Sequence, residues 1–175
     1  MIEEEFSQWE DARRRIDLLA LDRSGRLVVI EIKRTGSGGH MDLQAVRYAA
    51  MISSMTLDDV VSAYAAFSMR RGAEDDFDPR AAILEFMEAR DEDEEPSIAT
   101  DVRITLVSAD FGREVTTTVL WLNGFEGMDI RCIRLVPYQV EGRILLDIHQ
   151  VIPLADAADY QVKLRRKEAE LKRAN

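Results

Sequence analysis

Two carboxylates and a lysine lie close together in the first part of the sequence. Asp17 stands in the apolar segment RRIDLLALD, and Glu31 and Lys33 stand in the next one, RLVVIEIKR. A carboxylate among apolar neighbours needs a partner that compensates its charge. A hard divalent cation such as Mg²⁺ does this, because it prefers oxygen ligands and is commonly held by one or two carboxylates. These residue types predict a divalent-ion site with an ammonium beside it.

The two apolar segments are predicted to form a β-hairpin. Three residues, RSG, separate Asp22 from Arg26, and a three-residue loop that ends in Gly is a common hairpin connection because Gly accepts the left-handed conformation. If Asp22 pairs with Arg26, counting outward places Asp17 directly opposite Glu31, with their Cα atoms roughly 4.5–5.5 Å apart. Like charges so placed destabilise a sheet, and an ion between them offsets the repulsion.

Side-chain alternation brings Lys33 to the same pocket. Glu31 and Lys33 share one face of their strand, whereas Ile30 and Ile32 are expected to point the other way into the core. The backbone carbonyl of Ile32 is a further candidate ligand for the ion. An ammonium there can help orient a metal-bound water or stabilise charge that develops on a phosphate, and phosphodiester cleavage requires both.

A helix that follows the hairpin supplies two more candidates. The segment MDLQAVRYAAMIS repeats its apolar residues at helical spacing, and Gln44 and Tyr48 stand four residues apart on one face of it. The spacing Glu-x-Lys alone is uninformative, since Glu170 and Lys172 repeat it in the charged tail. The full set is far more restrictive, and it forms the candidate catalytic group: Asp17, Glu31, Lys33, Gln44 and Tyr48.

The remaining patterns predict an α/β fold in which helices flank a mixed β-sheet. Segments rich in β-branched and aromatic residues predict strands at 5–10, 14–22, 26–34, 102–111, 129–140 and 142–152. Helical spacing predicts a helix at 41–53, and further helices are expected at 57–71, 79–90 and, despite its β-branched run, 113–123. The acidic stretch 91–96 is typical of a solvated loop inside one domain, 1–154, and residues 155–175 are expected to form a charged helix or linker.

Composition limits the function classes. The 175 residues and 46% apolar content suit one domain with a single core. A formal charge of −10, from 33 acidic and 23 basic residues, argues against a passive nucleic-acid coat protein, so any DNA contact needs a local basic patch. A single cysteine, Cys132, is expected to be a buried thiol. Without a leader pattern or membrane span, the chain is expected in a reducing, cytoplasmic setting.

The hairpin and the following helix resemble the PD-(D/E)XK nuclease superfamily. The resemblance lies in IDLLALDRSGRLVVIEIKR followed by GGHMDLQAVRYAAM. The QxxxY element, Gln44 to Tyr48, is similar to that of the RecB-like branch. The sequence RRIDLLALD...LVVIEIKR is especially similar to the catalytic domain of NucS-like endonucleases. Coverage extends from about residue 5 to residue 154. The resemblance implies a restriction-endonuclease-like core.

By this resemblance, Asp17 and Glu31 bind metal, Lys33 is the catalytic lysine, and Gln44 and Tyr48 support the site and the DNA strand. Such domains normally begin with a helix that often contributes an acidic residue, whereas sixteen residues precede Asp17 here. Either that helix is missing from this sequence, or a shorter element contributes one of the early glutamates: Glu3, Glu4, Glu5 or Glu10.

Basic residues near these motifs are candidates for nucleic-acid binding. They adjoin the two strands, the glycine-rich loop and the helix, where cations can contact phosphates: Arg14, Arg15, Arg34, His40 and Arg47. For the arginines an ordinary surface role is an equal alternative, and a lone loop histidine is more often incidental. Trp9 and Trp121 are expected in the core rather than as base-stacking platforms.

The sequence favours a Mg²⁺- or Mn²⁺-dependent endodeoxyribonuclease. The alternative is a catalytically inactive nuclease-fold module that binds nucleic acid or a protein partner; the complete five-residue set argues for the enzyme, and the net charge of −10 argues modestly for the module. A third reading, compatible with both, joins the tail to a dimer partner or an additional domain. DNA is the expected substrate, without a membrane partner.

Overall fold

The computed structural model describes residues 1–7, 15–33, 41–87 and 96–154. In these ranges six strands form one sheet: β1 (Glu3–Phe6), β2 (Ile16–Leu21), β3 (Leu27–Lys33), β4 (Arg103–Ser108), β5 (Asp129–Val140) and β6 (Arg143–Ile152). Four helices accompany them: α1 (Met41–Ile52), α2 (Leu57–Arg70), α3 (Pro79–Phe86) and α4 (Arg113–Leu122). The expected class, a mixed sheet flanked by helices, is confirmed.

The sheet is mixed, and its strands lie side by side in chain order. β1, β2 and β3 pair antiparallel, β3, β4 and β5 pair parallel, and β6 returns antiparallel to β5. Parallel neighbours require crossover connections, which here carry α1–α3 between β3 and β4, and α4 between β4 and β5. The carboxyl ends of β3 and β4 therefore meet at one edge of the sheet, and β5 passes the same edge.

Local sequence sets the starts of two helices. Thr56 caps α2 in a reciprocal arrangement with Asp59, whose carboxylate accepts the Thr56 backbone N–H at 2.8 Å. Asp78 caps α3 and is followed by Pro79, a residue suited to the first helical turn because its missing N–H has no partner there. Both helices accordingly begin where the sequence predicts.

α4 forms despite its β-branched run. Val119 is fully buried in a cluster with Ile104, Leu106 and Ile130, and the Thr116 hydroxyl donates to backbone carbonyls of the preceding turn. Burial of an amphipathic face outweighs intrinsic propensity, because propensity differences between ordinary residues are below about 1 kcal/mol each. The predicted helix is confirmed.

Two buried clusters form the core. One joins β1–β3 to α1, α2 and α3 and includes Leu19, Val29 and Tyr48. The other joins β4 and β5 to α1, α4 and the end of β6. Cys132 lies in this second cluster, where burial raises the pKa of its thiol to about 12, as expected of a structural cysteine. α1 contributes to both clusters and covers β3 and β4.

Some predicted boundaries are wrong. β1 begins at Glu3 rather than at residue 5, and β4 ends at Ser108 rather than at 111. α3 ends at Phe86, short of the predicted residue 90. Nearly all of the acidic stretch 91–96 and the whole tail 155–175 lie outside the described residues. No described helix is both long and apolar enough to cross a membrane.

Candidate active site

The turn between β2 and β3 sets the register that brings the candidate residues together. Asp22 donates its backbone N–H to the carbonyl of Arg26 at 2.9 Å, and its side chain accepts the backbone N–H of Ser24 at 2.9 Å. Gly25 occupies the left-handed region, with φ of 76°. Leu18 pairs with Ile30, as predicted from the loop. Local turn chemistry is therefore sufficient to align the two strands.

Asp17 is anchored to the neighbouring strand. Its carboxylate Oδ2 accepts the backbone N–H of Ile32 at 2.7 Å. The paired part of the β2–β3 ladder ends one step away, at Leu18 and Ile30, so the same register places Asp17 beside Glu31. The side chain thereby extends the connection between the strands, and within the described residues its other oxygen accepts no hydrogen bond.

Glu31 is a buried carboxylate that accepts no hydrogen bond of ordinary geometry from the described residues. Its residue is 0% exposed, and neither Oε1 nor Oε2 has a hydrogen-bond partner among the described residues. It lies between Val29, which belongs to the first core cluster, and its ladder partner Leu106, which belongs to the second. A buried charge without partners is costly, so this position indicates either a proton or a cation.

The electrostatics of Glu31 favour the same conclusion. Burial, followed by the charge of Asp17, raises the pKa of Glu31 to about 7. The Lys33 charge and the nearby Asp17 backbone N–H, which falls outside hydrogen-bonding geometry, offset part of this increase. The like-charge argument from the sequence gives the right direction, although burial is the larger cause. Near neutral pH this carboxyl is therefore poised between a protonated form and an anion that needs a counter-charge.

The prediction of which β3 side chains face the core is wrong for Ile30 and Ile32. Ile30 is half-buried and Ile32 is 46% exposed, so these two side chains do not point into the core. The helices cover the opposite face, which carries Leu27, Val29 and Glu31. Glu31 is thus placed on the core side of its strand. For the expected role of the Ile32 carbonyl as a ligand, the structure describes only the N–H that Asp17 accepts.

Lys33 ends β3 beside a second buried polar group. Lys33 is half-buried and aligns with Ser108 at the end of β4. The Ser108 hydroxyl is buried and has no hydrogen-bond partner within the described residues. Sequence reasoning missed Ser108, whose only signal is a polar residue at the end of the apolar strand RITLVS. Together with Glu31, it gives this edge of the sheet two unsatisfied buried polar side chains.

Gln44 and Tyr48 interact with each other on α1. Gln44 Nε2 donates to the Tyr48 hydroxyl oxygen at 3.1 Å, as their spacing predicts. Tyr48 is 2% exposed and packs in the first core cluster. The pair therefore lies on the helix that covers β3 and β4. The burial of Tyr48 also gives this pair a structural role.

An open cleft adjoins Asp17. It has a volume of about 540 Å³ and is lined by Glu4, Glu5, Asp17, Leu18 and Arg70. Arg70 comes from α2 and forms an ion pair with the nearly buried Glu3. Two of the alternative early glutamates thus line a space beside the site. Arg70 was not predicted, because only the fold brings the end of α2 to β1.

The predicted nucleic-acid-binding residues are only partly described. Arg15 is exposed and pairs with Glu5 at 2.7 Å, and Arg47 is exposed on α1. Arg14, Arg34 and His40 lie outside the described residues. Trp121 is 65% exposed, so the expectation of a core position is wrong: its helix buries Val119 instead. Trp9 lies outside the described residues, as does Glu10.

The described residues fit a divalent ion at one point. They contain no group of three or more His, Cys, Asp and Glu side chains placed to hold a metal. Mg²⁺ needs no such group, since it is bound by one or two carboxylates and keeps several waters. The unpartnered oxygens of Glu31 and the second oxygen of Asp17 are ligands of this kind. The donor chemistry therefore suits Mg²⁺ or Mn²⁺.

Comparison with known proteins adds no relative. No protein-family model matches this chain, and no curated protein or solved structure matches it. What the site can do therefore follows from its own residues and their geometry: two carboxylates on adjacent strands, one of them buried without a partner, and a lysine on the face of β3 that carries the buried one.

Proposed function

We propose that the chain is a metal-dependent endodeoxyribonuclease of the PD-(D/E)XK type with a restriction-endonuclease-like core. The observation that carries the proposal is Glu31, a fully buried carboxylate with two unpartnered oxygens beside Asp17. A core residue that served only packing would be apolar, because burial of an unpaired charge costs several kcal/mol. The residue type is explained if a cation binds there.

The roles of the residues follow from their positions. Asp17 and Glu31 would hold the ion, and the Ile32 N–H fixes the orientation of Asp17. When bound, Mg²⁺ or Mn²⁺ would supply a nucleophilic water and neutralise charge on the scissile phosphate. Lys33, on the face of β3 that carries Glu31, would orient the water or stabilise the phosphate. Gln44 and Tyr48 support this edge from α1.

Protonation and metal binding compete at Glu31. Because metal ligands must be deprotonated, a carboxyl with a pKa of about 7 binds the ion more weakly as pH falls below that value. Cleavage is therefore expected to increase with pH through the near-neutral range. At saturating metal the increase shifts to lower pH, because the ion stabilises the ionised carboxylate.

The alternative is an inactive module that binds nucleic acid or a protein. Three observations favour it. Arg15 is engaged by Glu5, and Tyr48, which accepts from Gln44, is packed in the core, where packing alone explains it. The net charge of −10 also disfavours nucleic acid outside a local patch. None of these observations explains the unpartnered carboxylate of Glu31, which is why the enzyme is preferred.

Cleavage assays separate the two functions. The purified chain is incubated with linear, single-stranded, branched and mismatched DNA in Mg²⁺ or Mn²⁺, and we expect cutting that Lys33→Ala abolishes while calorimetric metal binding is retained. Lys172→Ala is the matched control, since it removes the lysine of the second Glu-x-Lys pattern. Glu31→Ala should lose both metal binding and cutting, and Gln44→Ala and Tyr48→Phe should impair cutting more than folding.

Each result has a distinct meaning. Cutting that survives Lys33→Ala would refute the proposed mechanism. Equal metal responses in the wild type and Glu31→Ala would exclude Glu31 as a ligand. If the wild type binds metal or nucleic acid but cuts none of the substrates, the inactive module is the correct function.

A further inference from the structure

The hairpin of β5 and β6 extends beyond the rest of the sheet. β4 pairs with β5 only as far as Ser108 and Arg134, whereas the pairing of β5 with β6 continues to Val140 and Arg143. We call residues 135–148 the arm. Among the described strands, the β5 part of the arm pairs only with its β6 part. The arm extends beyond the carboxyl-terminal ends of β3 and β4, where Lys33 and Ser108 lie.

The arm exposes large apolar side chains. Along β6, Ile144, Leu146 and Ile148 are 75%, 54% and 59% exposed, and they alternate along one face. Tyr138 and Leu145 are exposed on the other face. A contiguous exposed apolar strip of this kind marks an interaction surface, unlike an isolated exposed Leu or Ile.

β6 is also an unprotected edge strand. Among the described strands it pairs with β5 alone, it is ten residues long, and it contains neither Lys nor Pro. Natural sheets usually blunt such edges with those residues, with short strands or with bulges, and the irregularity here lies at the base of the hairpin near Cys132. The distal part of β6 is therefore suited to pair with another strand.

The turn determines which backbone groups of β6 are free. Glu141 and Gly142 both have positive φ, 51° and 78°, which defines a two-residue turn flanked by the hydrogen-bonded pair Val140 and Arg143. Because hydrogen-bonded pairs alternate along the hairpin, Leu146 and its opposite residue Pro137 form a non-hydrogen-bonded pair. Pro137, which has no N–H, fits this position. The backbone groups of Ile144, Leu146 and Ile148 thus point away from β5.

We propose that the arm pairs with the arm of a second copy of this chain, β6 against β6, antiparallel across a two-fold axis. A two-fold axis normal to the sheet places even-numbered residues of one β6 opposite even-numbered residues of the other. The exposed side chains of Ile144, Leu146 and Ile148 from both copies then lie on one face of the joined sheet and form a single apolar strip. The inference does not depend on the nuclease function, since it uses no residue of that site.

Charge complementarity selects the register. Pairing Ile144 with Leu146 of the second copy places Arg143 opposite Asp147 twice across the axis. A shift that pairs Leu146 with Ile148 places Asp147 opposite its own copy, which is unfavourable. Asp147 already interacts with His149 at 2.8 Å and with Arg134 at 3.8 Å, whereas Arg143 has no ion pair within the described residues. The proposed register gives Arg143 its partner.

A second copy fits better than nucleic acid. The charges on the arm and its base are balanced: Arg134 and Arg143 are offset by Glu141 and Asp147. A surface that tracks a phosphate backbone needs an excess of cations. An exposed apolar strip with a free edge instead matches the interaction of one sheet edge with another.

The test is the mass of the full chain in solution. Sedimentation equilibrium over a micromolar concentration series should show a monomer–dimer equilibrium that Leu146→Lys weakens by at least about tenfold in Kd. Trp121→Lys is the control, because it places the same charge on an exposed apolar residue of α4 and should leave the dimer intact. Arg143→Asp should weaken the dimer, and adding Asp147→Arg should restore it.

The proposal is overturned by three outcomes. A wild type that is monomeric throughout the series excludes it, whatever then covers the strip. A dimer that resists Leu146→Lys but dissociates with Trp121→Lys assigns the interface to α4 instead. If both Leu146→Lys and Arg143→Asp dissociate the dimer but the charge exchange fails to restore it, the proposed register is wrong. Since no outcome involves cleavage, this inference and the nuclease function fail separately.

Discussion

The two antiparallel hairpins of the molecule depart from ordinary burial in opposite ways. The β2–β3 hairpin buries a carboxylate, Glu31, whereas the β5–β6 hairpin exposes isoleucines and leucines along its arm. Each departure disfavours the isolated folded chain, and natural proteins concentrate such departures at functional positions. The comparison teaches that the two hairpins call for different proposed partners, a cation at the first and a second copy of the chain at the other. Three predictions test it, from the largest expected effect to the smallest.

Removing a leucine should affect the two hairpins very differently. Leu19→Ala, in the fully buried part of β2, should lower the free energy of unfolding by about 2–5 kcal/mol through lost burial and a residual cavity. Leu145→Ala, on the exposed arm, should change it by less than about 0.5 kcal/mol. Both are made in the Leu146→Lys background and measured by urea unfolding, so that association does not contribute. Equal effects would contradict the view of the arm as uncovered.

Neutralising the buried carboxylate should stabilise the protein at high pH. The folded pKa of Glu31 is about 7, above its ordinary 4.5, so the folded state binds the proton more tightly. The contribution of Glu31 to the free energy of unfolding is largest below pH 4.5, decreases as the pH rises to 7, and stays low above that pH. Glu31→Gln should remove this loss and gain about 3 kcal/mol at pH 8 without metal.

The pH dependence provides the control for this variant. Near pH 4.5 the wild type carries the proton, so the two proteins should have similar stability in thermal or urea unfolding. Mg²⁺ should stabilise the wild type at pH 8 and leave Glu31→Gln little changed. If the difference in free energy of unfolding between the two proteins is the same at pH 4.5 and pH 8, the pKa of Glu31 is not raised by burial in the folded protein.

The glycines of the two hairpin turns form a matched pair. Gly25 and Gly142 have nearly equal φ, 76° and 78°, so alanine meets similar backbone strain at both. A Cβ at Gly25 would also lie 2.9 Å from the Ser97 carbonyl oxygen, whereas a Cβ at Gly142 meets nothing within 4 Å. Gly25→Ala should therefore cost about 2–3 kcal/mol and Gly142→Ala about 1 kcal/mol in urea unfolding. Equal costs would mean that residues 96–99 move aside easily.

Local chemistry explains what the sequence predicts well. The Asp22 turn, the alignment of β2 with β3 and the hydrogen bond from Gln44 to Tyr48 depend on residues within a few positions of one another. α4 was also predicted correctly, and its burial of Val119 outweighs the β-branched run that opposes a helix.

Long-range packing explains the rest. Which face of β3 is covered depends on the helices that pack on it, so the outward position of Ile32 could not be derived from alternation alone. Arg70 reaches Glu3 from α2, and Ser108 reaches the end of β3 from β4. The exposure of Trp121 likewise follows from the side of α4 that packs on the sheet. Apart from the polar residue that ends the apolar strand RITLVS, none of these positions has a local signal.

The parallel pairing of β3 with β4 gives the folding reaction an order. A hairpin with a short turn closes within microseconds, so Asp17 and Glu31 meet early, while both are still hydrated. β4 can join β3 only after the connection that carries α1–α3 has brought the two strands together, which is a slow, non-local step. We therefore expect Glu31 to lose its water late, after the hairpin has formed. In this order of events the two carboxylates meet in water and are enclosed afterwards.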